Sequence, residues 1–131
     1  MVYILLNALP ILMAAAVSVI FGLGFYALVG RGGEFRRLRL LGIAFGAEAW
    51  IAAILAGALI LAPEEAGAWT MAIGTAVIIW VGFVAPALLI TGLHRKLPLS
   101  GILTDLVHWL AVMLLQVGVM EVWGLTPPPG V

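Results

Sequence analysis

Four long apolar runs separated by short turns constrain this chain more than any other feature. They extend from about Tyr3 to Val29, Leu38 to Ala62, Trp69 to Leu93 and Leu99 to Trp123. Each is close to the roughly 20 residues that an α-helix needs to cross the hydrocarbon core of a bilayer. Lipid offers the backbone no hydrogen-bond partners, so runs of this length are read as helices. Arg31 to Arg37 holds two adjacent glycines and charges, Pro63 to Gly67 is a Pro-Glu-Glu turn, and His94 to Pro98 is a basic turn closed by proline. Short connections make successive helices antiparallel neighbours. The expected fold is all-α: a single membrane domain over residues 1–131, built as an up-down bundle of four transmembrane helices. Composition agrees, since only 9% of residues are charged and a soluble domain carries about a quarter. The chain has no cysteine, which excludes disulfides, thiolate metal sites and cysteine nucleophiles. Met1 to Gly30 has no basic start and too long an apolar run for a cleaved leader, so a retained helix is expected.

The charges set an expected orientation. All six Lys and Arg residues fall in two connections: Arg31, Arg36, Arg37 and Arg39 follow span one, and Arg95 and Lys96 follow span three. The remaining loop carries Glu64 and Glu65, and both tails lack basic residues. The positive-inside rule places the basic loops in the cytoplasm and both termini on the outer, periplasmic side of an inner membrane. Trp69 and Trp123 then sit at outer span ends as interface anchors. The arginines read as topology determinants and anionic-lipid contacts, not as a nucleic-acid patch.

Small residues mark the expected packing faces. Ala14, Ser18 and Gly22 form a stripe at spacing four on span one. Pro10 is expected to bend that span near its outer end. On span two, at 100° per residue, Gly42, Gly46, Ala49, Ala52, Ala53, Ala56 and Gly57 fall on one side. Ile43, Trp50, Ile51, Ile54, Leu55 and Leu61 fall on the other. Helices associate in lipid by close approach, so the small side is expected to face protein. In span three, Gly82 and Pro86 lie one turn apart, and a mid-helix proline removes a backbone hydrogen bond and kinks the helix.

Four polar residues stand out because polar groups at membrane depth are expensive. Glu48 is near the middle of span two, at the margin of its small side. It is either a proton or cation site, or a protonated glutamate bonded to a neighbouring helix. Asp105 and His108 are three apart on span four and share a face. Gln116 lies within about 20° of Asp105 on the same wheel, which completes a polar stripe. An Asp–His pair relays protons, and an imidazole ligates haem or a chlorophyll-type pigment. The simpler reading is hydrogen bonding between helices. His94 is expected to be solvated, and Glu121 to reach the outer interface. A tail of the composition Thr-Pro-Pro-Pro-Gly-Val, at 126–131, is ordered only where something holds it. No nucleotide loop, zinc motif or Ser/His/Asp grouping is present, so no catalytic residue and no metal site are assigned.

Three motifs in order resemble a known group of small bacterial four-helix membrane proteins, the domain of unknown function seventeen-sixty-one. Asn7 opens span one, and Gly22-Leu23-Gly24-Phe25-Tyr26 is similar to the family's Gly-x-x-Trp-Tyr end of the first helix. Trp80-Val81-Gly82-Phe83-Val84 resembles its Trp-x-Gly-Phe-x element. Pro98-Leu99, Asp105 and His108-Trp109 follow the spacing of its last motif. Phe25 stands where the family has Trp, His108 where it has Tyr, and residues 31–39 do not follow its loop. The resemblance implies the four-helix membrane fold and no reaction.

Two functional expectations follow. The first is a non-catalytic inner-membrane protein that acts through helix packing, with no cofactor. It would be an accessory or assembly subunit of a larger, bioenergetic complex, or a small homo-oligomer, with lipid and other membrane subunits or itself as partners. The second is a small oligomeric transporter or channel that uses Glu48, Asp105, His108 and Gln116 as a polar path. A weaker third has His108 ligating haem or a pigment.

Overall fold

The computed structural model describes residues 1–30 and 38–130, so Arg31, Arg36 and Arg37 lie outside the described residues. The helices are α1 Val2–Leu6, α2 Ala8–Leu28, α3 Leu38–Leu61, α4 Ala68–Ile79, α5 Ala85–His94 and α6 Leu99–Trp123, with a π-helical segment, Trp80–Val84, joining α4 to α5. The expected all-α architecture with four spans is present: Ala8–Leu28, Leu38–Leu61, Ala68–His94 and Leu99–Trp123 are each long and apolar enough to cross a membrane. Large apolar side chains such as Ile20, Ile78 and Phe83 are exposed along them, as a bilayer solvent permits.

Local chemistry explains the helix boundaries. Span one is not a single bent helix but is broken at Asn7, three residues before Pro10. Pro10 has no N–H to offer the Leu6 carbonyl, and its ring crowds that carbonyl, so the α1 turn cannot run on unbroken. Pro86 acts differently. In a regular helix its nitrogen would face the Gly82 carbonyl. The backbone instead widens into the π segment, where the Ala85 N–H reaches the Trp80 carbonyl, and a π-bulge of this kind absorbs a helix disruption locally. Gly124, at φ 88°, ends α6 in a conformation that side-chain-bearing residues avoid.

α6 is the centre of the bundle. It packs against α2, α3, α4, the π segment and α5, and α2 also packs along α3. The α2 stripe behaves as expected, with Ala14, Ser18 and Gly22 all buried. A closed core joins Ile11, Ala52, Ala56, Ala76, Met113 and Met120. Spans two and three meet through α4, the first segment of span three, and their main contacts stop there. Toward the basic end the two spans therefore part.

The inward face of span two differs from the size-based expectation. Gly42 and Gly46 are exposed, and a Cβ on either would meet nothing within 4 Å. Leu55, expected to face lipid, is 1% exposed, while Ala52, Ala53 and Ala56 are buried as expected and Ala49 is half-buried. The reason is Glu48. Turning its carboxyl inward to a partner outweighs the packing preference of two glycines, and the face that follows at i+4, i+7 and i+8 carries Ala52, Leu55 and Ala56. Gly57 does serve close approach. A Cβ there would lie 2.9 Å from Tyr3 Oη, and that hydroxyl donates to the Ala53 carbonyl at 3.1 Å.

The proline-rich tail is held by the break in span one. Asn7 Nδ2 donates to the carbonyls of Tyr3 (2.9 Å) and Thr126 (2.8 Å), and the Thr126 N–H donates to Asn7 Oδ1 at 2.7 Å. Asn7 is 1% exposed, so these bonds are shielded from competing water. Asn7→Ala removes two tail bonds worth about 1 kcal/mol each. Amide exchange at Thr126 is expected to speed up by about tenfold or more while the four spans keep their protection. Unchanged exchange there would show that another contact anchors the tail.

Candidate functional site

Three helices meet at one buried polar cluster. Ser18 on α2, Glu48 on α3 and Gln116 on α6 are each no more than 5% exposed. Ser18 Oγ donates to Glu48 Oε2, and lies 3.0 Å from the Ala15 carbonyl of its own helix. Gln116 Nε2 donates to Ser18 Oγ at 3.0 Å and to the Glu48 backbone carbonyl at 3.1 Å. A hydroxyl has one hydrogen and two lone pairs. With Glu48 protonated, its O–H donates to Ser18 and the Ser18 hydrogen goes to Ala15, so each donor finds an acceptor. With Glu48 ionised, the Ser18 hydrogen goes to Oε2 instead, and each donor again finds an acceptor. Gln116 Oε1 has no partner among the described residues.

The other polar residues of span four lie toward the basic end. Tyr26 Oη donates to Asp105 Oδ1 at 3.1 Å. His108 is 4% exposed and sits among aromatic rings, with Tyr26 at 4.6 Å, Phe25 and Trp109 at 5.3 Å and Phe21 at 6.2 Å between centroids. Its Nε2 is 3.1 Å from where a Cβ on Gly22 would stand, so the imidazole occupies room that Gly22 leaves free. Neither ring nitrogen has a hydrogen-bond partner among the described residues. Both are enclosed. No group of three His, Asp or Glu residues is placed to hold a metal ion among the described residues.

A cavity of about 620 Å³ joins these groups. It fills the gap between spans two and three, with α2 and α6 as its other walls. Glu48 lies at its deep end, and Arg95 and Leu97 lie at its basic end. Tyr26, Asp105, His108 and Trp109 line it between them. Glu48 Oε2 is taken by Ser18. Oε1 has no hydrogen bond among the described residues and is not one of the enclosed atoms, so it is the carboxyl edge that meets the cavity. A second cavity of about 540 Å³, lined by Glu64, Met71, Glu121 and Leu125 among others, opens at the opposite end of the bundle. Ala52, Ala56, Ala76, Met113, Val117 and Met120 fill the space between them.

The four polar candidates from the sequence thus separate into two sets. Glu48, Asp105 and His108 share the cavity, whereas Gln116 braces Glu48 from the closed core. The stripe on span four faces this bundle. Glu121 lines the opposite cavity, and Arg39, Arg95 and Lys96 are exposed. His94 ends α5, exposed, with Nδ1 2.9 Å from the Ile90 carbonyl. Ser18 was read only as a small packing residue, yet it is the hub of the cluster; the signal was a lone hydroxyl within an alanine-rich helix. Tyr26, the partner of Asp105, entered only through the resemblance. Trp80 Nε1 donates to the Leu106 carbonyl at 3.1 Å, one residue along α6 from Asp105. Compared with protein-family models, curated proteins and solved structures, the chain matches none.

Proposed function

We propose that this is a non-catalytic, multi-pass protein of the bacterial inner membrane that admits a small solute into a one-sided cavity, as a small transporter does. The basic loops lie in the cytoplasm and both termini outside. One observation carries the reading: the carboxyl of Glu48, near the middle of its span, lines a cavity that extends to Arg95 and Leu97 at the basic end. A carboxyl with only a structural role has no reason to keep an edge on open space, given what an intramembrane charge costs. The apolar core between the two cavities favours a carrier that opens to one side at a time over a continuous channel.

The absence of native cysteine makes the test clean. Ala47 lines the cavity, whereas Ala56 is fully buried in the core. A cysteine at Ala47 is expected to react with a water-soluble maleimide added from the cytoplasmic side at least about tenfold faster than one at Ala56. Equal protection of both sites would remove the proposal.

A second reading, an accessory subunit or a small homo-oligomer, draws on Gly42 and Gly46. They face outward at spacing four with nothing within 4 Å, a surface that admits a second helix closely. Native mass spectrometry of protein drawn from its own membranes tests it. A lone monomer of 13.8 kDa in every preparation would count against it.

A further inference from the structure

We propose that the cavity takes an organic cation with an apolar body, and that the cation pairs with Glu48 in exchange for a proton. The inference rests on the transport reading above and names its substrate class.

Size and lining come first. A space of about 620 Å³ falls within the range of sites that enclose a small organic molecule. Most of its wall is aliphatic, from residues such as Val19, Leu23, Leu41 and Leu88, with the aromatic rings of Tyr26 and Trp109. Such a wall accepts an apolar body and rejects a small hydrated ion, which would lose its water shell without replacement.

Charge selects within that class. Two carboxyl groups line the cavity, Asp105, which accepts from Tyr26, and Glu48, whose Oε1 is an acceptor and offers an anion no hydrogen. Among the described residues, the one Arg or Lys that lines the cavity, Arg95, is at the exposed end, where solvent screens it. A neutral apolar guest would leave Glu48 Oε1 without a partner. A cation satisfies that oxygen, and the Trp109 ring in the cavity wall adds cation–π attraction.

The exchange balances. In the resting site Glu48 is neutral and its hydroxyl bonds to Ser18. When the cation enters, the O–H bond of Glu48 breaks, the proton leaves through the cavity to the cytoplasmic solution, and the carboxylate holds the cation. One positive charge enters and one leaves, so the cavity's net charge is unchanged. Ser18 and Gln116 still donate into the cluster, which keeps the carboxylate hydrogen-bonded. Among the described residues, the titratable and charged groups that face Glu48 across the cavity are Tyr26 from α2, Arg95 from the end of α5, and Asp105 and His108 from α6. α4 contributes none. Protonating His108 at low pH opposes a cation as well, so the Glu48 variants are needed to isolate the exchange.

The experiment measures binding of tetraphenylphosphonium, and of the smaller tetrapropylammonium, to the purified full-length protein in detergent at pH 6 and pH 8. Binding of at least one cation is expected to be about a hundredfold tighter at pH 8, with about one proton released per cation bound. Glu48→Gln is expected to lose at least about tenfold in affinity and the proton release, while Glu48→Asp keeps both in part. Glu121→Gln, in the cavity at the opposite end of the bundle, is expected to stay close to the parent protein. Circular dichroism on each variant separates lost binding from lost folding, and Glu48→Asp keeps the test open if Glu48→Gln does not fold. Neither cation binding, or a Glu48→Gln protein that binds as the parent does, or binding without proton release, overturns the proposal. A reactive cysteine at Ala47 that no cation protects overturns the cation while leaving the cavity reading intact. An unreactive one overturns the reading beneath it.

Discussion

Ser18→Ala is expected to destabilise the folded bundle by about 2 kcal/mol, a large effect for the loss of one oxygen atom. Hydrogen bonds between membrane helices contribute about 0.6 kcal/mol on average, so a single lost bond would not reach this value. Ser18 differs because it is 0% exposed and serves two helices at once. Without its hydroxyl, Glu48 Oε2 is left in the core with no partner, and Gln116 Nε2 keeps only the Glu48 carbonyl. An orphaned buried polar group costs about 1–3 kcal/mol. Adding Glu48→Leu to Ser18→Ala removes the orphan, so the double variant is expected to be more stable than the sum of the single effects predicts, by about 1 kcal/mol or more. Denaturant titration in mixed micelles, followed by tryptophan fluorescence, reads all three proteins. Strict additivity would show that Ser18 and Glu48 act independently and would remove the hub assignment.

Gly92→Val is expected to be the more damaging change, at about 3 kcal/mol. Gly92 is buried where α5 meets the start of α6. A Cβ there would lie 2.6 Å from Ile102 Cγ1 and 2.9 Å from Cδ1. Those atoms cannot swing aside cheaply, because Ile102 is 2% exposed and a β-branched side chain in a helix has essentially one rotamer. Valine adds two more methyl groups to the same space. The strain is relieved by parting α5 from α6, which moves a wall of the cavity near Leu97 and Arg95. Ile102→Ala alone leaves a hole that costs about 2–5 kcal/mol. Combined with Gly92→Val it makes room instead, so the pair is expected to be better than either the sum or the valine variant alone. A Gly92→Val protein as stable as the parent would mean that the two helices do not approach this closely.

The two changes also test different parts of the molecule. Ser18→Ala acts on the brace behind Glu48 and leaves the cavity walls in place. Gly92→Val acts on the walls and leaves the brace. If cation binding falls in the second variant and survives in the first, the shape of the cavity matters more than the rigidity of its carboxyl. The reverse outcome puts the weight on the Ser18–Glu48–Gln116 cluster.

The four spans were legible in the sequence, because the length of an apolar run and the punctuation of Pro, Gly and charge are one-dimensional properties. Span four was placed from Leu99 to Trp123 and occupies those residues. The membrane positions of Glu48, Asp105, His108 and Gln116 were legible for the same reason: an ionisable or amide side chain is conspicuous against aliphatic neighbours. The sharing of a face by Asp105, His108 and Gln116 followed from helical geometry alone.

Rotation and pairing were decided by the tertiary structure. Size sorted the residues of span two and placed Gly42 and Gly46 toward protein, but the helix turns Glu48 inward and those glycines outward. A sequence shows that a glutamate needs a partner and does not show which helix brings one. Ser18, 30 residues away from Glu48, and Gln116, 68 residues away, meet it only because α2, α3 and α6 converge. The cavity has the same origin. It exists because spans two and three touch through α4 and part below it, and a gap between helices is a property of their crossing that no single span encodes. Local helix periodicity is set by the backbone of each segment, whereas which polar groups end up within hydrogen-bond reach is set by how four segments pack, where each carboxyl, hydroxyl and amide must find its partner inside the protein because lipid supplies none.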